Sequence, residues 1–598
     1  MPVTDLTPFR SVNFPKIDLK LEMRDDGTVL IRTTEILDID FVLAAKEFNQ
    51  TVLNSPNKTA IAERTSDGQW LKKTFFELKA EVDATAQWLL DRGANASTPI
   101  MIISGNSIAH AIIRTAALAV GAPFSPVSEN YALLGAGGGF SRLKYAAELI
   151  SPSFVFAETA AYADAANIFD EETVIISKEP EALGRPAENF NDIVSTKVSL
   201  DLTAISDGID PDATAAILLT SGSTGKPKAV VHTNRMICAW KNLLMWTMKD
   251  SGAWDDLILV WLPWSHVSGL HTGIASLLNG TSLYLDSGKP IPGLFDQTIE
   301  NIRELSLYQF LNVPSGYQML ADAMEADFSL RDAFFKEMRV LTFAGASMPQ
   351  PLFDKIQKLA VESTGQRIVI VSGYGMTETT SGFMSTYYES EKVGAIGLPH
   401  PGAELKLVPF GDRYELRVKG ATIFPGYLNR PDLTAPSFDE EGYYRTGDAC
   451  TFVNQGNPHD GIYFAGRMSE EFKLNNGSWV ATSTIREEIL KALSPSVFEV
   501  LICGENQDYL GLLAWPNPML GAPSIDDISE RINAYNRENS TLSRKIKRLA
   551  LLDTFPDLEG GEMTDKGTVN QRLSLKLRAE NVQDLYAVRP SNGVLCFD

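Results

Sequence analysis

The residues best suited to chemistry lie in the segment LTSGSTGKPKAV, residues 219–230. Residues 215–220 (AAILLT) form a short apolar run that reads as a buried strand. It breaks abruptly into Thr220, Ser221, Gly222, Ser223, Thr224, Gly225, Lys226 and, after Pro227, Lys228. Glycines let backbone N–H groups converge on one point, hydroxyls add donors and lysines add charge, which together suit a phosphate. A Walker A loop needs G-x-x-x-x-G-K-[S/T]. Here the position five before Gly225 is Thr220, and Pro227 follows Lys226, so no hydroxyl is placed for Mg²⁺. Proline also disfavours helix at the residue before it. The segment therefore reads as a flap over phosphates, the rival being a Gly/Ser/Thr hairpin turn.

Three further clusters carry chemistry. In residues 369–379 (VIVSGYGMTET) a strand ends in Gly373-Tyr374-Gly375-Met376-Thr377-Glu378. Open α/β sheets bind ligands beyond the carboxyl ends of their strands. Tyr374 could lie against a purine, Thr377 could donate a hydrogen bond, and Glu378 is a hard oxygen ligand for Mg²⁺. By itself the cluster reads as a turn with a capping threonine. Asp448, in YYRTGD, could chelate two ribose hydroxyls or be an ordinary turn aspartate. His266, in the aromatic turn LPWSHVSG, reads by spacing alone as a satisfied structural histidine.

The elements around these clusters alternate. Residues 75–90 have helical spacing, 99–103 read as a strand, 107–119 as a helix and 123–127 as a strand, which is the βαβ unit of a parallel sheet. Residues 232–246 read as helical and 257–261 as a strand, with a helix over 271–278 and a strand over 282–285. Residues 135–140 (GAGGGF) approach a dinucleotide fingerprint, but Phe140 takes the third glycine position and no strand directly precedes, so the stretch reads as a loop. Residues 159–212 are acidic and polar with little periodicity, and no internal repeat is visible.

A chain of 598 residues exceeds one hydrophobic core, so two or more domains are expected. Hydrophobic residues make up 44% and charged residues 21%, as in a soluble globular protein. A net charge of −22 argues against non-specific nucleic-acid binding and requires local cations at any nucleotide site. Cys238, Cys450, Cys503 and Cys596 are far apart, and the six histidines are scattered, which suggests a reducing compartment and no metal cage. No signal peptide, no apolar run near the ~18 residues of a membrane span and no lipidation motif is recognised, so a cytoplasmic enzyme is expected.

TSGSTGKPKAVVH resembles the signature loop of the adenylate-forming superfamily, which includes acyl-CoA synthetases, peptide-synthetase adenylation domains and luciferases. The resemblance covers nearly the whole chain. It implies an α/β fold: a large N-terminal domain, 1–466, of parallel-sheet subdomains plus a barrel-like part, and a small mobile α+β C-terminal domain, 467–598. It implies that the flap holds the β- and γ-phosphates, that Gly345 and Ala346 lie near adenine, and that Asp448 and Arg467 share the ribose. Trp264, His266, Ser268, Phe343 and Gly373 would line the acid pocket, with His266 and Thr377 near the reacting carboxylate. Residues 560–567 (GGEMTDKG) resemble the catalytic-lysine motif, which makes Lys566 the bridge between carboxylate and α-phosphate, although Asp565 replaces the usual glycine. The hinge position, usually Asp or Lys, is Ser469, and KLNNGSWV keeps the glycine turn, Gly477, that lines the pantetheine tunnel. Trp479 stands where a basic residue is common.

SGNSIAHA, LPWSH, FLNVPSGY, FAGASMPQ, GRMSEEFKLNNGSWV and EMTDKGTVNQR look like feruloyl-CoA synthetases and related aryl-CoA ligases. The implied reaction joins an aromatic acid, a hydroxycinnamate favoured, to CoA through an acyl-adenylate, using ATP and Mg²⁺. Two alternatives are a carrier-protein pantetheine as acceptor and an inactive acyl- or nucleotide-binding protein. Intact Lys226, Thr377, Glu378, Asp448, Arg467 and Lys566 weigh against the last.

Overall fold

The computed structural model describes residues 7–35, 43–135, 139–220, 227–248, 250–291, 293–391, 393–518, 520–557, 561–563 and 569–597. Residues 221–226 and Lys566 lie outside the described residues, as does the middle of the 135–140 glycine stretch.

A seven-stranded sheet runs in the order Lys228–Thr233, Thr214–Thr220, Phe124–Val127, Ile100–Ile103, Phe154–Ala157, Val174–Ser177, Glu188–Asn189. All neighbours are parallel except the first pair, in which Thr220 faces Lys228. The pairing therefore brings Thr220 and Lys228, the two ends of the expected flap, side by side. The strand Ile100–Ile103 is wholly buried, as a central strand between helical layers must be. The helix Ile108–Val120 starts at Ser107, whose hydroxyl accepts from the His110 N–H, and stops at left-handed Gly121. Two strands, Val174–Ser177 and Glu188–Asn189, lie in the stretch read as unpatterned. Each is too short to show a period.

The second large sheet has eleven strands. Gln309–Asn312, Val340–Phe343 and Val369–Met376 are parallel. From there pairing turns antiparallel through Ser381–Ser385, Ala395–Pro399, Ile462–Arg467, Tyr444–Phe452 and Arg413–Lys419 to Glu404–Phe410 and the N-terminal hairpin of Val29–Thr33 and Leu19–Met23. This antiparallel half of a continuous sheet stands where the barrel-like part is expected. Its core is Val29, Ile31, Leu405, Leu407, Leu416 and Val418, alternate residues of adjacent strands.

Three sequence readings need correction. His232 is the penultimate residue of a strand, and the helix runs Asn234–Met248. The next helix is Val267–Asn279, so residues 267–269 belong to it and not to a turn. The strand read as ending at Ser372 continues to Met376. Gly375 permits this, because a β-carbon there would sit 1.6 Å from the Ser381 carbonyl oxygen of the facing strand.

The small C-terminal domain packs the helices Thr482–Leu493 and Ile525–Glu538 on a four-stranded sheet, Val497–Cys503, Leu510–Pro516, Ile546–Leu551 and Val594–Cys596. Ile485, Ile489, Leu493, Ile528 and Ile532 meet Val500, Ile502, Leu512 and Leu549 in its own core. Arg413 of the large domain reaches across and donates to both carboxylate oxygens of Glu471, at 2.6 and 2.9 Å, and to the Ala465 carbonyl. Among the described residues no helix is long and apolar enough to cross a membrane.

Candidate active site

The parallel strands Gln309–Asn312, Val340–Phe343 and Val369–Met376 end together, and a pocket opens beside them. The helices Asn234–Met248 and Val267–Asn279 close its other side. Trp240, Leu244, Met248, Trp254, Ile258, Val260, Leu311 and Met384 give it an aromatic and aliphatic wall. Ser268, Thr272, Thr342 and the hydrogen-bonded Ser385–His400 pair add polar points. Burial lowers the His400 pKa to about 4, so its imidazole is neutral near pH 7.

Of the residues expected at the pocket, Ser268, Gly345, Gly373, Tyr374, Gly375 and Met376 line it. Two are corrected. Phe343 points to the opposite face of its strand, into the core of Phe310, Tyr317, Leu352 and Phe353, while Thr342 and Ala344 face the pocket. Successive strand residues alternate faces, so the reading chose the wrong member of the pair. Trp264 is buried in the core, its ring stacked 3.7 Å from the Arg114 guanidinium and edge-on to His110. His266 sits at the N-cap of Val267–Asn279, outside the lining, and its N–H donates to the Pro263 carbonyl.

The Thr377-Glu378 turn sits at the carboxyl end of Val369–Met376, as a short 3₁₀ segment, Thr377–Thr379. Thr380 and Ser381, just after it, have φ of 53° and 80°. Such values are strained for residues other than glycine and persist only where surroundings hold them. The anchors are explicit. The Thr380 hydroxyl donates to the Thr422 carbonyl at 2.7 Å, the Thr379 hydroxyl accepts from the Met376 N–H, and the Phe424 N–H donates to the Glu378 carbonyl.

Around the turn lie the groups expected to meet a nucleotide. The Tyr427 hydroxyl donates to Glu378 Oε1 at 2.9 Å, and Lys228 Nζ lies 4.7 Å from the centre of the Tyr427 ring. Burial and the Glu378 carboxylate both push the Tyr427 phenol pKa up, so it stays a donor. Tyr374 donates to Asp448 Oδ2 at 2.5 Å, and Arg467 Nε stands 3.2 Å from Asp448 Oδ1. Asp448 is 1% exposed; burial raises its pKa and Arg467 draws it back. Arg467 is half exposed. Ala346 follows Gly345 on the exposed rim. Thr220 and Lys228 face each other at the ends of two antiparallel strands.

Glu378 fits a Mg²⁺ ion. Among the described residues no cluster of three His, Cys, Asp or Glu forms a protein cage. Mg²⁺ is ordinarily held by one or two carboxylates with waters and substrate phosphates, and the part-exposed Glu378 carboxylate, bonded to Tyr427 whose ring lies against Lys228, matches that demand. Gly477 stands apart, on the exposed tip of a hairpin formed by Phe472–Lys473 and Trp479–Val480.

Sequence reasoning missed Tyr427, although GYLNRP follows the strand ladder and carries a glycine turn. It also missed the histidines 232 and 271, which no local pattern joins.

A family model described as AMP-binding enzyme matches residues 48–428, about two thirds of the chain, and one for the AMP-binding enzyme C-terminal domain matches 471–589. The chain belongs to the AMP-binding enzyme family. It is similar to a carboxylic acid reductase of Mycobacterium tuberculosis, 27% identical over 67% of this chain and 35% of the relative. It is also similar to a malonate–CoA ligase of Arabidopsis thaliana, 30% identical over 50% of this chain and 49% of the relative. The chain thus spans about half or less of these relatives. Among solved structures, the adenylation domain of a carboxylate reductase from Mycobacterium chelonae superposes with a TM-score of 0.72, at 19% identity and 92% coverage of both chains. At that identity the likeness concerns the fold, a large N-terminal and a small C-terminal domain.

Proposed function

We propose that this chain is an AMP-forming acid–thiol ligase that activates an aromatic carboxylic acid, a hydroxycinnamate such as ferulate favoured, and passes it to CoA. The observation that carries the reading is one juxtaposition. A pocket walled by Trp240 and Trp254 opens at the strand ends beside Thr377, Glu378, Tyr374 and Asp448, with Lys228 close by through Tyr427. An apolar pocket suits the acid, and the charged rim suits a nucleotide.

In the first step a carboxylate oxygen attacks the α-phosphorus of ATP, and the bond to pyrophosphate breaks. No covalent enzyme intermediate forms, so catalysis rests on positioning and charge. Lys566 bridges the carboxylate and α-phosphate, residues 220–228 hold the outer phosphates, and Asp448 with Arg467 holds the ribose. Thr377 donates to the reacting phosphate. Mg²⁺ on Glu378 would neutralise phosphate charge. In the second step the small domain turns about the Arg467–Ser469 segment and the Gly477 turn approaches. The thiol sulfur attacks the acyl carbon, AMP leaves and the thiol proton passes to solvent. One site thereby serves two reactions in sequence.

The test is incubation with ATP, Mg²⁺, CoA and a panel of hydroxycinnamic, benzoic and fatty acids, with AMP and thioester followed by mass spectrometry. A hydroxycinnamoyl-CoA with stoichiometric AMP is expected. Thioester only from other acids discards the substrate, and no acid-dependent AMP discards the activity. Acyl-adenylate without thioester favours a carrier-protein pantetheine. The observation behind this second reading is half-exposed Trp479 beside the Gly477 turn, where the family resemblance commonly puts a basic residue, although Lys473 Nζ lies 4.7 Å from the Trp479 ring.

A further inference from the structure

Beneath the Thr377-Glu378 turn lies a chain of buried imidazoles. His232 Nε2 is 2.7 Å from the Thr377 carbonyl oxygen, and His232 Nδ1 is 2.9 Å from His271 Nε2. His232 is 0% and His271 1% exposed. The direction of this chain follows from the acceptor. A carbonyl only accepts, so His232 Nε2 carries hydrogen. Burial lowers the His232 pKa to about 4, which leaves the ring neutral near pH 7 and Nδ1 a lone-pair acceptor. His271 Nε2–H then donates to it, and His271 Nδ1 is the open end. Behind His271 lies the fully buried guanidinium of Arg114, whose positive charge acts with burial to keep His271 neutral.

Three elements are joined this way: the strand Lys228–Thr233, the helix Val267–Asn279 and the turn after Val369–Met376. The turn needs such an anchor. Its two positive-φ residues are not glycine, and the Thr377 carbonyl otherwise accepts only a longer bond, 3.3 Å from the Thr380 N–H. The backbone that carries Glu378 is thus held from below by His232 through the Thr377 carbonyl and by the Phe424 N–H on the Glu378 carbonyl, while Tyr427 holds the Glu378 carboxylate.

We propose that His232 and His271 are positioning residues, a directed pair of neutral imidazoles that fixes the Thr377-Glu378 turn in the geometry Mg·ATP binding needs. The proposal rests on the reading of that turn as the phosphate and metal site. Neither histidine touches substrate; His271 acts through His232, and His232 through the Thr377 carbonyl.

The test uses the full chain and the variants His232→Gln, His232→Leu, His271→Gln, His271→Leu and the double Leu variant. Mg·ATP affinity is measured by titration calorimetry and thermal midpoints by fluorescence. Glutamine offers an N–H and a carbonyl where leucine offers neither. His232→Leu is expected to weaken Mg·ATP about tenfold, as for one lost buried hydrogen bond, and His232→Gln to stay within about threefold. The double variant is expected to be no weaker than His232→Leu, because the pair acts in series. Equal losses for Gln and Leu, unchanged affinity in His232→Leu, or additive losses overturn the proposal. Should His232→Leu fail to fold, the His271→Leu and His271→Gln pair decides by the same comparison. A wild-type chain that binds no Mg·ATP overturns the functional reading and this proposal with it; binding that all variants share overturns this proposal alone.

Discussion

Asp448 shows how a site residue can act against stability. Its carboxyl is buried, with Tyr374 donating to one oxygen and Arg467 near the other. Burial raises its pKa above the unfolded value. A raised carboxyl favours the protonated fold, so ionised Asp448 subtracts stability at neutral pH, and the deficit vanishes below the ordinary carboxylate range. Asp448→Asn is therefore expected to raise the thermal midpoint at pH 7 and not at pH 3, while weakening ATP about ten- to a hundredfold through lost charge-assisted bonds. Calorimetry at both pH values checks both halves; a lower midpoint at pH 7 removes the argument. Tyr427→Phe is the milder companion. It removes one hydrogen bond to Glu378 and should shift the Mg²⁺ midpoint of ATP binding about three- to tenfold with little change in melting. An unchanged Mg²⁺ titration detaches Tyr427 from the site. Asp448 was singled out through the family resemblance, since a carboxylate after a Gly turn reads by itself as an ordinary turn aspartate. Tyr427 was not, because its partner is 49 positions away in the chain.

At the scale of elements, two glycines on one strand make a controlled comparison. A β-carbon on Gly375 would meet the Ser381 carbonyl oxygen at 1.6 Å, whereas one on Gly373 meets nothing within 4 Å. Gly375→Ala should push the strands Val369–Met376 and Ser381–Ser385 apart and lower stability by about 3 kcal/mol or more, a cost typical of forced backbone shifts. Gly373→Ala should fold like the wild type and change only acid affinity, since it lines the pocket. Denaturant melts of the two proteins decide it, and matching stabilities would mean the close approach is not needed. The strand, helix and glycine pattern that placed this turn at a sheet's carboxyl end was visible in composition and spacing. What spacing did not show is which face a residue takes. Phe343 and Trp264 are large and aromatic, and both spend their surface on the core, where burial of a ring gives the larger return. The pocket is instead walled by Trp240 and Trp254, from a helix and from the loop before Leu257–Val260.

For the molecule as a whole, the decisive contact is the one between Arg413 and Glu471. Glu471 follows the Arg467–Ser469 segment, and its side chain is 2% exposed beneath the guanidinium. In this arrangement the Gly477 turn faces solvent, and Gly561, near the Lys566 segment, lies against Arg142 of the large domain. Gly561 against the large domain and an exposed Gly477 turn suit the first of the two proposed steps. Under the proposed turn about the Arg467–Ser469 segment, this ion pair two residues beyond it would weight the present arrangement against the other. Neutralising it while keeping its shape should shift the balance without dismantling either domain, since each has its own core. Glu471→Gln is therefore expected to slow acid-dependent ATP–pyrophosphate exchange about five- to tenfold, a population shift of roughly 1 kcal/mol. It should leave thioester formation from pre-formed acyl-adenylate unchanged or faster. Measuring the two half-reactions separately discriminates: an equal fall in both would make the pair a structural clamp with no part in the turn between steps. The sequence carries Arg413 and Glu471 as two unremarkable charges, 58 residues apart; only the hairpin Glu404–Phe410 to Arg413–Lys419, folded back toward the domain junction, brings them together.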